Sequence, residues 1–172
     1  MGLSGMNCQN QQIPSGDSLW GAAINNDAAT IEKIIKLGLP VNQLCGDSLR
    51  TPLYWAAAFG STDAVQTLLD AQADPNVRFI KDDETPLAIA AITGYPDIVQ
   101  LLLEHHADSH MKCQWDPERS LQLPDQTALE WALKRRSDLQ KFSTGGEDTK
   151  ELYAGALQKL DEVITLLEEH ER

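Results

Sequence analysis

Between positions 105 and 113 the chain reads His-His-Ala-Asp-Ser-His-Met-Lys-Cys, which gathers His105, His106, His110 and Cys113 into one short stretch. Imidazole and thiolate are preferred zinc ligands, so metal binding is the first chemistry these residue types suggest. The spacing fits no common zinc finger, however, and the four groups would have to converge from a helix end and a loop. No metal is expected. The three cysteines, Cys8, Cys45 and Cys113, are odd in number and far apart, which argues against a disulfide framework and for a reducing, cytoplasmic setting. Catalytic signatures are missing as well: there is no Gly-x-Ser-x-Gly, no phosphate loop and no His-Glu-x-x-His, and the pair Gly145-Gly146 lacks a following lysine motif. The chain therefore reads as a non-enzyme without a cofactor.

Charge narrows the partner. The 172 residues carry 26 acidic against 14 basic side chains, a net of −12. That balance opposes nucleic acid and anionic membrane, both of which need clustered Lys and Arg. No apolar run approaches the ~18 residues of a membrane span. The acid is concentrated after position 147 and at Asp82-Asp83-Glu84. Such a field suits a basic protein partner, or serves solubility alone. Residues 1–16 are rich in Gly, Ser, Asn and Gln and read as a flexible leader rather than a secretory signal. Met6 stands where a myristoylation site needs Ser or Thr.

The elements that must position any site come from a phrase written twice. Thr51-Pro52-Leu53-Tyr54-Trp55-Ala56-Ala57 and Thr85-Pro86-Leu87-Ala88-Ile89-Ala90-Ala91 are each followed by Gly and a leucine-rich stretch ending in Ala-Asp. Thr51, Thr85 and Thr127 are natural N-caps, and Pro52 and Pro86 stand at the first helical position, where a missing N–H costs nothing. Gly60 and Gly94 supply left-handed turns, and Pro96 opens the next helix. On a helical wheel Leu53, Ala56 and Ala57 share one side while Trp55, Ala58 and Phe59 fall on the other. The second helices carry the larger apolar stripe, Val65, Leu68 and Leu69, then Ile98, Val99 and Leu102. Units of this kind cannot bury their own apolar faces and must stack on copies of themselves.

The phrase resembles the ankyrin repeat: Thr-Pro-Leu-x-x-Ala-Ala, a Gly turn at Gly60 and Gly94, then Val65-x-x-Leu68-Leu69 and Ile98-Val99-x-Leu101-Leu102-Leu103, closing on Ala73-Asp74-Pro75-Asn76 and Ala107-Asp108-Ser109-His110. A degenerate copy opens at Asp17, so that Asp17, Thr51 and Thr85 recur every 34 residues, and another opens at Thr127. The resemblance implies an all-α, ankyrin-repeat helical solenoid with β-turn-like fingers. Its domain would span 17–172, with repeats at about 17–50, 51–84, 85–126 and 127–172 and an insertion near 137–155. The closing helix is expected to begin early, near Asp148, with Leu152, Ala156, Leu160, Val163, Ile164 and Leu167 on one face and a charged Glu168 where the third copy has Leu103. The resemblance also places His105, His106 and His110 at the helix end, the turn glycine and the terminal asparagine of the repeat, a structural use in place of a metal site.

In this family the first helices line a concave groove and the turns before them form fingers. Carried onto this chain, the groove shows Ile24, Trp55, Phe59, Ile89, Ile92, Trp131 and Arg135, and the fingers at 44–50, 79–84 and 111–126 add Phe79, Asp82, Asp83 and Trp115. A contiguous apolar row with tryptophans is typical of an interface centre; large residues here can equally pack on the neighbouring first helix. The implied function is a protein-binding module, monomeric when free, acting as adaptor or inhibitor. The alternative is a structural or targeting subunit of a larger assembly, or a host-directed effector, with no inhibition.

Overall fold

The computed structural model describes residues 18–44, 50–78, 84–113, 125–143 and 147–172, the side chains of 147–150 excepted. Each inner helix starts where a short polar side chain can accept an orphan backbone N–H. The Ser18 hydroxyl accepts from Gly21 N (3.1 Å) and opens α1, Leu19–Ile24. Thr51 and Thr85 do the same for α3, Pro52–Phe59, and α5, Pro86–Thr93, accepting from Tyr54 N (3.2 Å) and Ala88 N (3.1 Å). Thr127 opens α7, Ala128–Ser143, in a reciprocal box: its hydroxyl accepts from Glu130 N while the Glu130 carboxylate accepts from Thr127 N (2.8 Å).

The outer helices are α2, Ala28–Lys36, α4, Thr62–Asp70, α6, Pro96–Glu104, and α8, Glu147–His170. The turns into α4 and α6 are left-handed at Gly60 (φ 73°) and Gly94 (φ 77°), and the turn into α2 is made by Asn26 (φ 57°), 34 residues before Gly60. Asparagine is the commonest substitute for glycine in this conformation. His106 is also left-handed (φ 66°), as its place at the repeat's turn glycine implies. Among the described residues there are eight helices and no strand; an antiparallel bridge, Cys113 to Gln126, stands at the base of the third finger.

Inner helix packs on inner helix, and outer on outer, along a helical solenoid. The core between the layers is continuous: Leu19, Ile31, Leu53, Val65, Leu68, Leu87, Ile98, Leu102 and Leu167 are all essentially inaccessible. Polar ties bridge successive units. Asn26 Oδ1 accepts from Ala64 N (2.9 Å), Asn42 Oδ1 from Asp74 N (2.9 Å) and Asn76 Oδ1 from Asp108 N (2.8 Å).

The final pair departs from this pattern. α7 has 16 residues and α8 has 24, whereas α3 to α6 have eight or nine. The 137–155 stretch is therefore largely helical, and both helices run on beyond the stack as an arm. The closing helix begins at Glu147, beside the expected Asp148, and buries Leu160, Val163, Ile164 and Leu167. Its first half does not pack as expected: Leu152 is 73% exposed and Ala156 is exposed. Glu168 is exposed at the end of the stack, whereas Leu103 is buried.

Candidate protein-binding face

The wheel assigns one side of each inner helix to the groove, and the structure divides that row in two. On α3 the expected orientation holds. Phe59 is 51% exposed, Trp55 is half-buried, and their rings lie 6.0 Å apart. Ile24, at the corresponding edge of α1, is half-buried. On α5 and α7 the expectation of an open surface is corrected. Ile89, Ile92 and Trp131 are all buried, and Trp131 packs with Ala88, Ile92 and Cys113 in a small cluster of its own. The Trp131 indole N–H donates to Cys113 O (3.2 Å), and the Lys134 ammonium covers its ring at 4.7 Å. The reason is packing between helices: a tryptophan on α7 is long enough to reach across to α5, so its face is spent inside the protein. Arg135, one residue beyond Lys134, is exposed. Phe79, Asp82, Asp83 and Trp115 lie outside the described residues.

Trp55 is held from the finger side by a constellation the wheel does not reveal. Glu84 is 3% exposed and its carboxylate accepts from Tyr54 Oη (2.6 Å) and from Arg50 (2.7 Å). The Arg50 guanidinium lies 4.4 Å over the Tyr54 ring and 5.8 Å from the Trp55 ring, and the two rings meet edge to face at 5.8 Å. Arg50 and Glu84 are the residues immediately before Thr51 and Thr85, one repeat apart. Opposite charges at that interval are the signal that could have found them. The effect is to fix Tyr54 and Trp55 as a rigid aromatic step at the mouth of the groove, with the guanidinium forming a cation–π contact.

The outer face is different in character. A depression of about 360 Å³ on α4 and α6 is lined by Asp63, Asp97 and Glu104 with Gln66 and Gln100, all on a polar convex surface. Among the described residues no group of three or more His, Cys, Asp or Glu is arranged to hold a metal ion. His105 is the C-cap of α6, and the His110 N–H donates to Asp108 (2.9 Å), so these residues serve the turn. No described helix is long and apolar enough to cross a membrane.

A search of curated proteins finds none that matches the chain. Its sequence does match the family model described as ankyrin repeats, in three copies over residues 19–113, the span that contains α1 to α6 and ends at Cys113. With helix pairs, left-handed turns and polar ties recurring at one interval, and more than half of the chain matched, the protein belongs to the ankyrin repeat family.

Proposed function

We propose that this protein is a non-catalytic adaptor or inhibitor that grips one protein partner at the α1–α3 end of its concave groove. Ankyrin repeats indicate a protein–protein interaction module. What supports the finer reading is the aromatic step on α3: Phe59 half in water, Trp55 against it, and Arg50 beside Trp55. Rigid aromatic side chains with an arginine lose little entropy on binding and are the residues that dominate interface energies. The fingers at 79–84 and 111–126 would extend the contact through Phe79, Asp82, Asp83 and Trp115. Residues 127–172 are read as a fourth repeat whose arm is an insertion within it, and the net charge of −12 favours a basic partner met in the cytoplasm.

The test begins with affinity capture and mass spectrometry, followed by titration of the purified partner. Trp55→Ala or Phe59→Ala should weaken binding by more than about 2 kcal/mol if either is a hot spot, with the fold retained. Asp82→Asn should act on the association rate and its salt dependence. Affinity unchanged by both aromatic substitutions but sensitive to Asp97 or Glu104 on the outer helices would move the function to the convex side.

A further inference from the structure

The long arm of α7 and α8 does not lie flat against the stack. Between it and the end of α5 runs a cleft of about 760 Å³, in the range that takes up several large apolar groups. Ile89 and Ile92 lie on the α5 side, Leu139 on α7, and Leu152, Tyr153 and Leu160 on α8. Leu152 is 73% exposed at its margin, and Phe142, further out on the same arm, is 67% exposed. Ordinary closure of the arm would have covered these side chains.

Two further observations say what fits there. The first is charge. The chain carries 26 acidic residues, yet none of the described residues lining this cleft is Asp or Glu, while Arg135 and Lys159 both line it. Their neighbours Arg136 and Asp161 pair with each other across α7 and α8. Arg135 and Lys159, both exposed, form no ion pair among the described residues. Carboxylates stand beside the cleft, at Asp138, Glu151 and Glu162, but the charges on its lining itself are these two cations. The second is Gly155, in the interior of α8 beside Ala156. A Cβ added there would meet nothing within 4 Å, so packing does not require glycine, and glycine weakens a helix. What it does is leave the α8 side of the cleft open.

We infer that the cleft between α5 and the α7–α8 arm is a second docking site, for a segment of a partner protein that carries large apolar side chains beside acidic ones. The apolar groups would lie against Leu152 and Tyr153, over a floor formed by the buried Ile92, Leu139 and Leu160, and the carboxylates would reach Arg135 and Lys159. This goes beyond the groove proposal, and the variants expected to abolish binding differ between the two, so either can fail alone.

The test is selection from a displayed library of random peptides on the full chain, with counter-selection on Gly155→Trp, which puts an indole on the α8 side of the cleft from a position whose Cβ meets nothing within 4 Å. Melting temperature and circular dichroism of the variant check its fold. Expected are peptides rich in Leu, Ile or Phe with Asp or Glu, bound at least ten-fold more weakly by Gly155→Trp and by the separate charge variant Arg135→Glu/Lys159→Glu, and more weakly in high salt. Trp55→Ala should leave them bound. Cleft-dependent peptides that are basic, or no peptide sensitive to Gly155→Trp, would overturn the inference. So would self-association in sedimentation that Gly155→Trp abolishes, since the occupant would then be a second copy of the chain.

Discussion

Glu84 is the residue whose loss should reveal most about how this solenoid holds its groove. Its carboxylate is 4% exposed, and it takes charge-assisted or phenolic hydrogen bonds from Arg50 and Tyr54 at 2.7 and 2.6 Å. Hydrogen bonds to a charged group are worth roughly 1.5–3 kcal/mol each, and breaking a buried ion pair from one side costs about 3–5 kcal/mol. The Arg50 side chain is 20% exposed, so it can partly rehydrate and keep its place over the Tyr54 ring. Glu84→Ala should therefore cost about 3 kcal/mol, in the lower part of that range. Glu84→Gln keeps an acceptor but not the charge, and should cost about 1–2 kcal/mol. Removing both charges in Arg50→Met/Glu84→Met leaves no uncompensated ion, so the double variant should be less destabilised than Glu84→Ala alone. Urea unfolding followed by circular dichroism and tryptophan fluorescence reads all three. A cost below about 1 kcal/mol for Glu84→Ala, or a double variant more destabilised than Glu84→Ala, would refute the claim that this pair braces the aromatic step.

Leu68→Ala and Leu102→Ala each empty a fully buried site between layers and should cost roughly 2–5 kcal/mol in the same unfolding assay. Gly60→Ala meets two obstacles, φ 73° and a Tyr95 ring carbon 2.6 Å from the new Cβ, so it should lower stability by about 1–3 kcal/mol; Gly60→Ala/Tyr95→Ala relieves the clash but not the left-handed backbone. Asp27 caps α2, and its carboxyl is held below the usual 3.8 by the side-chain hydrogen bond from Thr30 and then by the Thr30 backbone N–H. Since the folded value is the lower one, the cap's stabilisation is complete above about 3.8 and disappears as pH falls through the folded value. The melting-temperature gap between the natural chain and Asp27→Ala should accordingly be open at neutral pH and close in strong acid.

Element starts and turns were legible because each depends on one or two residues acting locally. Thr51 with Pro52, Thr85 with Pro86, and the glycines at 60 and 94 act through their own backbone, and each does in the structure what its type implies. The groove was legible only in part. A wheel treats a helix alone, and the side of α7 that carries Trp131 faces away from the layer core yet toward α5. Whether such a side chain reaches solvent depends on the distance to the next helix, which no periodicity encodes. The arm was obscured for a related reason: Ser137 to Ser143 lacks an apolar stripe, and what supports α7 there is Leu139 together with ties such as Lys141 to Asp138 and, just before it, Arg136 to Asp161 on α8.

The arm comes after three units that are tied to one another by asparagines. Asn42 and Asn76 each accept the backbone N–H of the next unit's aspartate, and Asn76 further donates to His106 O (3.0 Å), so the first three units are stitched at their loop ends. The next position, 34 residues on, is His110, an imidazole in place of the carboxamide, and its backbone N–H donates to Asp108 in the same loop (2.9 Å). The family match closes three residues later, at Cys113. Stacking of the last pair must then come from apolar burial by Trp131, Ala132, Leu160, Val163 and Leu167, reinforced by the long packing seam between α7 and α8. Two helices long enough to supply that seam overrun the stack, and the overrun creates the cleft beside α5. Leu152, Tyr153 and Gly155 line the cleft from that overrun, so a closing pair with helices of eight or nine residues, like α3 to α6, would not form it.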